Sequence, residues 1–329
     1  MSGTVRRTLA GLVLCALAAR AEPVEIRVVE QYGIAFLPLM VMRDRSLVEA
    51  HSQRIGASVR VSWTRLGAIN AINDALLAGQ VDFAAGGIPS LVMLWSKTRG
   101  AVRAVGALGD MPNDLVVRRS EIHSVRDFGP QDKIAVTAVK ISNQAIALQM
   151  AAAKEFGEAS FDKLDPLTVG MAHPDATIAL LSGSAALTAH FSSPPFMERE
   201  LRNPGLHAIL STYDVLGGPA TLNAVWTRTQ FRERNPRAQQ AFVEALEEAI
   251  ELINKDKPAA AGIYKRLAQA SESAAEIEAI LSDPRMRFTT TPHGVLRTAT
   301  FMHRTGRIKE RPASWKDLFF ENMQGRDGS

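Results

Sequence analysis

The segment that decides the fold spans residues 79–95 and reads GQVDFAAGGIPSLVMLW. Residues 81–85 are a short apolar run typical of a buried strand, and Gly86 and Gly87 follow it as a predicted turn without side chains. Pro89 suits a first helical position, and residues 91–95 predict a buried helix. Free N–H groups and a positive dipole end would meet there. The segment therefore predicts either a site for an anionic or polar small molecule or a tight connection without a ligand.

Two further strand–turn–helix units precede this segment. Residues 24–29 and 59–63 have strand-like patterns, and a polar or glycine-containing turn and a helix follow each of them. In the second helix, over residues 68–77, the apolar side chains fall on one face. Three such units in succession predict an α/β domain with a largely parallel sheet, in which ligands lie beyond the carboxyl ends of the strands.

The rest of the chain predicts a second α/β half and a helical end. Apolar runs at 102–108, 133–139, 167–169, 185–190, 207–212 and 222–227 indicate strands. Asn235 and Pro236 suit the start of a helix, and the pattern stays helical from there. The predicted divisions are a signal peptide over 1–21, a first lobe over 22–112, a second lobe over 113–220, and a return to the first lobe with C-terminal helices over 221–329.

Composition gives no sign of a nucleic-acid surface or an interior membrane span. The chain has 329 residues, of which 46% are hydrophobic and 22% charged, with a formal net charge of +4. Three of its 38 basic residues lie within residues 1–21, and the remaining 35 nearly balance the 34 acidic residues. No interior segment has the roughly 18 consecutive apolar residues that a membrane helix needs.

Residues 1–21 have the pattern of a secretory signal. Arg6 and Arg7 precede an apolar core over residues 9–19, and Ala19-Arg20-Ala21 fits a cleavage site. Cys15, the only cysteine, lies inside this core and follows Leu14, whereas a lipid-anchored protein would have a small residue there. We expect a soluble protein exported to the periplasm, with lipidation as the alternative. Without cysteine the mature chain can have no disulfide, thiolate nucleophile or cysteine metal site.

Several segments together match a known family: the strand–turn pattern ending at Gly67, residues 75–83, Gly86 and Pro89, residues 125–128, residues 142–144, Asn235-Pro236, residues 301–308 and residues 315–319. Through them the whole mature chain resembles the periplasmic substrate-binding proteins of ABC importers for nitrate, taurine and aliphatic sulfonates. The resemblance implies the type II periplasmic-binding-protein fold, in which two α/β lobes close on a ligand cleft and a helical C-terminal tail follows. It also implies a monomer that delivers its solute to an ABC permease.

The sequence does not determine the identity of the solute. Many relatives have an acidic–aromatic cleft segment where this chain has residues 188–194, which read TAHFSSP. We expect a small anionic organic solute of the sulfonate, taurine or nitrate type. The alternatives on the same fold are an enzyme similar to the thiamine-pyrimidine synthases or a binding protein for a neutral heterocycle such as a pyrimidine. Those synthases carry a cysteine-rich motif and are not exported. A sensor domain of a regulator is a further class, but no residues remain for a DNA-binding or signalling module.

The candidate ligand-binding residues come from the turns that should line the cleft. Arg65 and Lys140 are the candidate partners of a ligand oxyanion, because guanidinium and ammonium groups donate to oxyanions. The others supply amides, hydroxyls, aromatic faces, a histidine or bare main chain, and their ordinary alternatives are capped turns, helix caps, core packing and hinge flexibility. They are Gln31, Tyr32, Phe36, Gly86, Gly87, Ile88, Ser90, Ser142, Asn143, Gln144, His190, Phe191, Ser192, Gly218 and Thr221.

No motif for catalysis occurs. The seven histidines show no His-Glu-x-x-His spacing, and neither a Gly-x-Ser-x-Gly elbow nor a phosphate loop with Gly-Lys-Ser/Thr is present. We therefore expect a protein that is not an enzyme and that uses no cofactor or metal.

Overall fold

The computed structural model describes residues 22–183 and 187–329, which form two five-stranded β-sheets with helices packed on them. The predicted signal peptide, residues 1–21, lies outside the described residues. We call the first sheet and its helices the first lobe, and the second sheet and its helices the second lobe.

The first sheet has the strand order β2-β1-β3-β10-β4. Strands β1, β2 and β3 are parallel, whereas β10 is antiparallel to both of its neighbours. Helices cover both faces, which explains why β3, β4 and β10 are apolar rather than alternating. The strands are β1 Val24–Glu30, β2 Val59–Arg65, β3 Phe83–Gly87, β4 Val102–Asp110 and β10 Thr221–Arg228.

The second sheet repeats this plan with the strand order β7-β6-β8-β5-β9. Strands β6, β7 and β8 are parallel, and β5 is antiparallel to β8 and β9. Each sheet thus has one reversed strand next to its edge strand. The strands are β5 Asp114–Val117, β6 Ile134–Val136, β7 Thr168–Gly170, β8 Ala189–Ser192 and β9 His207–Ser211.

Helices connect most strands, and the last five confirm the predicted helical C-terminal region. Within the described ranges, no helix combines the length and apolarity that crossing a bilayer requires. The helices are α1 Leu37–Asp44, α2 Leu47–Arg54, α3 Ile69–Leu77, α4 Ile88–Lys97, α5 Asn143–Phe156, α6 His173–Leu181, α7 Phe196–Leu201, α8 Thr212–Leu216, α9 Thr229–Arg234, α10 Pro236–Lys255, α11 Lys257–Ala268, α12 Ala274–Leu281 and α13 Val295–Arg304.

Apolar cores lie on both faces of the first sheet. On one face, Phe83 of β3 stacks against Phe242 of α10 with ring centroids 3.8 Å apart, so the C-terminal helices complete the first lobe. On the other face, Trp226 of β10 is fully buried with side chains of α3, α4 and α13. Burying a large side chain contributes about 1.5–3 kcal/mol, so these two cores fix the first lobe around its sheet.

The chain passes between the lobes twice. Residues 111–113 join β4 to β5, and residues 217–220 join α8 to β10. All five strands of the second sheet lie between these two segments. The predicted boundaries after residues 112 and 220 fall in or next to these segments and stay predictions.

The predicted glycine turn at residues 86–87 is wrong. Gly86 and Gly87 are the last two residues of β3, pair with Ala224 and Asn223 of β10, and lead directly into α4 at Ile88. Neither glycine has a positive φ. The absence of a side chain at Gly86 allows the Ile69 side chain to pack directly against the β3 backbone, because a Cβ on Gly86 would lie 2.6 Å from Ile69 Cδ1.

Two other predicted elements differ from the structure. The single helix expected after the first strand is divided into α1 and α2, because Ser46 adopts a left-handed conformation with φ of 48°. Residues 185 and 186 of the strand expected over 185–190 lie outside the described residues, and the strand described in this region, β8, spans Ala189–Ser192. Phe191 and Ser192 are therefore strand residues rather than part of the following turn, and Phe191 lies in the apolar core of the second lobe.

Candidate functional site

A crevice between the lobes is lined by the ends of strands and the starts of helices from both sides. Its volume of about 30 Å³ leaves room for about two water molecules, so the lobes lie close together. Residues of the first lobe form one wall of the crevice and residues of the second lobe form the other. Asn113, in the segment 111–113 that joins the lobes, is also part of the lining. The lining residues are Gln31, Tyr32, Ala35, Phe36, Ile69, Gly87, Ser90, Asn113, Thr137, Ser142, Asn143, Gln144, His173, Ser193, Leu222 and Asn223.

Gly87 and Asn143 bring the two walls into contact. Asn143 begins α5 of the second lobe, and its Nδ2 donates to the Leu222 carbonyl of the first lobe at 2.8 Å. A Cβ on Gly87 would lie 2.5 Å from this same Nδ2 atom. The absent side chain of Gly87 therefore makes room for the hydrogen bond that joins the lobes.

The residues at the start of α5 form several hydrogen bonds with one another and with Thr137, directly after β6. Ser142 is its N-cap, and its hydroxyl accepts from the Ala145 N–H at 3.2 Å. Gln144 Oε1 accepts from the Thr137 hydroxyl at 3.0 Å. The second-lobe side of the crevice is therefore held in position by hydrogen bonds between uncharged groups, not by ion pairs.

A buried chain of hydrogen bonds continues from Gln144 into the second lobe. Gln144 Nε2 lies 3.3 Å from His173 Nε2, and His173 Nδ1 lies 2.8 Å from His190 Nε2. His190 Nδ1 lies 2.6 Å from Glu200 Oε1, which also accepts from the Thr177 hydroxyl at 2.6 Å. Burial and the neighbouring His190 hold the pKa of His173 well below its usual range, so His173 is neutral at the crevice.

Eight of the predicted site residues line the crevice. They come from four different elements or loops, three of them in the first lobe and one in the second. Tyr32 is half-exposed at the entrance, and the other seven are buried or partly buried. The eight residues are Gln31, Tyr32, Phe36, Gly87, Ser90, Ser142, Asn143 and Gln144.

The two predicted cationic residues lie outside this lining. The Arg65 guanidinium donates to the buried carboxylate of Glu30, with Nη2 to Oε1 at 2.8 Å, and Arg65 lines a separate surface groove beside Tyr32. Lys140 is exposed and has a positive φ of 69°. Among the described residues, no lysine, arginine, aspartate or glutamate lines the crevice.

The remaining predicted residues lie behind the walls or beyond them. Gly86, Ile88 and Phe191 are buried in strand or core positions. His190 is buried behind His173, which lies between it and the crevice. Ser192 is buried at the end of β8. Gly218 lies in the second crossing segment, and Thr221 donates to Asp110 Oδ1 at 3.0 Å and lines a small neighbouring cavity.

Sequence reasoning missed several lining residues, notably Asn113, Thr137, His173, Ser193 and Asn223. A polar run, Pro112-Asn113-Asp114, separates two apolar strands, and it is the signal that could have identified Asn113. Thr137 and Asn223 are single polar residues within or next to apolar strands, where no local pattern marks the side that faces a cleft.

Ion pairs between the lobes flank the crevice. Glu272, in the first lobe and fully buried, accepts two hydrogen bonds from Arg199 of α7 in the second lobe, at 2.7 and 2.9 Å. Nearby, the exposed pair of Arg202 and Glu276 joins the lobes at 2.6 Å. Forked arginine–carboxylate pairs are geometrically specific, so the Arg199–Glu272 pair stabilises the closed arrangement of the lobes.

For the solute binding that the family resemblance implies, Glu272→Gln is expected to lower the affinity about tenfold, because a neutral amide forms a weaker contact with Arg199 and the closed state loses about 1.4 kcal/mol. Isothermal titration calorimetry with the solute found by screening measures this change. Glu276→Gln is the matched control, because an exposed ion pair contributes little. Equal affinities for wild type and Glu272→Gln would contradict a role for this pair in closure.

Glu198→Gln is expected to stabilise the protein at pH 8 but not at pH 4.5. The pKa of Glu198 is raised from 4.5 to about 7, mainly by burial and to a smaller extent by Asp114 and Asp283, while a backbone hydrogen bond and Arg285 oppose the rise. The folded state therefore holds a proton that the unfolded chain releases between these pH values, and stability is lost as the pH rises through this window. Since the side chain is only partly buried, we expect a gain of about 1–2 kcal/mol at pH 8.

Urea unfolding of wild type and Glu198→Gln at both pH values tests this prediction. Glu251→Gln, at an exposed position of α10, is the control that should change neither value. A gain of the same size at pH 4.5 and pH 8 would contradict titration of Glu198 as the cause.

Comparison with solved structures identifies the fold. The chain is similar to the alkanesulfonate-binding protein of Xanthomonas axonopodis pv. citri bound to MOPS, with 17% identity, a TM-score of 0.68, and coverage of 91% of this chain and 99% of that one. It is similar to the ligand-binding component of an ABC-type import system from Staphylococcus aureus, solved with zinc bound, with 14% identity, a TM-score of 0.68, and coverage of 92% and 98%.

A Candida albicans protein described as having the generic periplasmic-binding-protein fold is also similar, with 12% identity, a TM-score of 0.68, and coverage of 92% and 97%. No protein-family model and no curated protein matches the chain. The prediction of a periplasmic-binding-protein fold, with two α/β lobes, is confirmed.

Proposed function

We propose that the chain is an extracytoplasmic solute-binding protein that captures a small organic solute between its two lobes and delivers it to an ABC permease. The observation that carries the proposal is the crevice itself, in which helix starts and strand ends of both lobes meet. Solute binding there would stabilise the closed form, and a permease can recognise that form. In this proposal the protein is a periplasmic monomer, is not an enzyme, and reaches the periplasm through its predicted signal peptide.

A sulfonate, taurine or nitrate-like anion is one candidate solute. A structural neighbour is an alkanesulfonate-binding protein. The start of α5 supports this candidate, because Ser142 and the first N–H groups of a 14-residue helix face the crevice region.

A neutral heterocycle is the second candidate solute. Carboxamides, hydroxyls and a neutral histidine line the crevice, and the described lining contains no charged side chain. Within the described residues, no group of three or more histidine, cysteine, aspartate or glutamate side chains is placed to hold a metal ion. Residues 22–329 also contain no cysteine of the kind that the thiamine-pyrimidine synthases carry.

A thermal-shift screen of the exported, processed protein tests the proposed function. The probes are ethanesulfonate, taurine, nitrate, succinate and uracil. A solute present at about 100 times its dissociation constant should add about 2.7 kcal/mol to the free energy of unfolding. Small-angle X-ray scattering with and without that solute should show a smaller radius of gyration when it is bound. A panel that leaves both measurements unchanged would contradict the proposal.

A further inference from the structure

Asn113 is a buried carboxamide without a partner in the described protein. Its side chain is 0% exposed and lines the crevice, and neither Nδ2 nor Oδ1 has a hydrogen-bond partner. Leaving a buried polar group unpaired costs about 1–3 kcal/mol, so native proteins rarely keep one without a reason. The crevice as described has room for only about two water molecules, so a larger ligand enters when the lobes move apart, and there it would satisfy both atoms.

The backbone around Asn113 is held in place. Its N–H donates to Thr212 Oγ1 at 2.9 Å, and its carbonyl accepts from the Thr212 N–H at 2.9 Å. Because both backbone groups are fixed, the carboxamide is presented at a defined position between the lobes. It offers a donor and an acceptor side by side, and its complement is a group with an acceptor next to a donor.

The electrostatics of the crevice disfavour a charged solute. Its described lining contains no lysine or arginine, Arg65 is engaged by Glu30, and His173 is neutral. Burying an ion away from water without a partner of opposite charge is costly, whereas a neutral ligand that satisfies the polar groups avoids this penalty. Tyr32 and Phe36 add flat apolar surface, which suits a planar ring.

Building on the proposed function, we propose that the solute is an uncharged planar ring with an amide-like donor–acceptor edge, such as a cyclic ureide or lactam, and that Asn113 recognises that edge. Gln31, Asn143, Gln144 and Asn223 supply further carboxamides around it. The assignment follows from the unpaired amide and the uncharged lining together.

Isothermal titration calorimetry of the exported, processed protein with uracil, ethanesulfonate and nitrate tests the solute class. We expect uracil to bind and to compact the protein in small-angle scattering, and the two anions to bind at least about tenfold more weakly. Tighter binding of ethanesulfonate or nitrate, with compaction, would overturn the solute class and leave the receptor function intact. No binding and no compaction with any probe in the wider screen would overturn both.

Asn113→Leu separates recognition from a structural role. Leucine has a similar volume and no polar atoms, so it removes the unpaired amide; we expect a protein at least as stable as wild type that binds uracil at least about tenfold more weakly. Asn113→Asp should also weaken uracil binding, because it replaces the donor with an acceptor. Asn70→Leu, at an exposed position of α3 close to the crevice, is the control that should keep wild-type affinity. A destabilised Asn113→Leu protein with unchanged uracil affinity would overturn the role of Asn113.

Discussion

Gly87→Val is expected to weaken solute binding at least about 100-fold while leaving the first lobe folded. A Cβ at this position would lie 2.5 Å from Asn143 Nδ2, 2.8 Å from Asn143 Cγ and 2.9 Å from Asn143 Oδ1. All three atoms belong to the opposite lobe, so the added side chain prevents closure rather than crowding its own lobe. The φ of Gly87 is −68°, which valine adopts without strain.

Calorimetric affinities, small-angle scattering and thermal unfolding of Gly87→Val test this prediction together. Gly87→Val combined with Asn143→Gly should close again, because the second change removes the side chain that the valine meets. Gly262→Ala is the control, since its Cβ would meet nothing within 4 Å. The prediction fails if Gly87→Val compacts with solute as wild type does.

His190→Ala is expected to lower the free energy of unfolding by about 3–5 kcal/mol. His190 and Glu200 are both fully buried, and their 2.6 Å contact is the main polar contact of the Glu200 carboxyl besides Thr177. Removing the imidazole takes away one of the two hydrogen-bond partners of that carboxyl and leaves His173 Nδ1 without its contact to His190. His190, which the sequence suggested as a cleft residue, therefore stabilises the second lobe by linking His173 at the crevice to the buried Glu200.

Urea denaturation of His190→Ala measures the loss of stability, and calorimetry on the folded fraction measures affinity. His190→Ala combined with Glu200→Gln should regain part of the lost stability, because an uncharged amide is less costly to leave unpaired. His207→Ala, which removes one hydrogen bond to the Ile122 carbonyl, should cost only about 1 kcal/mol. A stable His190→Ala protein that no longer binds solute would show instead that His190 contacts the solute directly.

Much of the fold could be predicted because local patterns and long-range packing agree. The runs at 24–29, 59–63 and 102–108 lie within strands β1, β2 and β4, and α10 begins at Pro236, directly after Asn235, as expected. The boundary of β3 could not be found in this way. Pairing with β10, more than 130 residues later, extends the strand over Gly86 and Gly87, and local propensity contains no information about that partner.

The candidate site was predictable where it depends on helix starts and not where it depends on side-chain direction. Ser142, Asn143 and Gln144 line the crevice because the start of α5 points toward it. Arg65 has the chemistry of an oxyanion partner, but the neighbouring strand places Glu30 beside it. Cross-strand register determines that contact, and the spacing of residues along one segment does not reveal it.

The position of β10 in the first sheet has a consequence for how the chain assembles. Strands β3 and β4 do not pair with each other, because β10 lies between them. As the polypeptide is synthesised from its amino end, these two strands remain incomplete until residues 221–228 are available, whereas the second sheet uses only residues 114–211. The later lobe in sequence can thus form first, and the earlier one depends on contacts distant in sequence, which slows folding and prolongs exposure of unpaired edges.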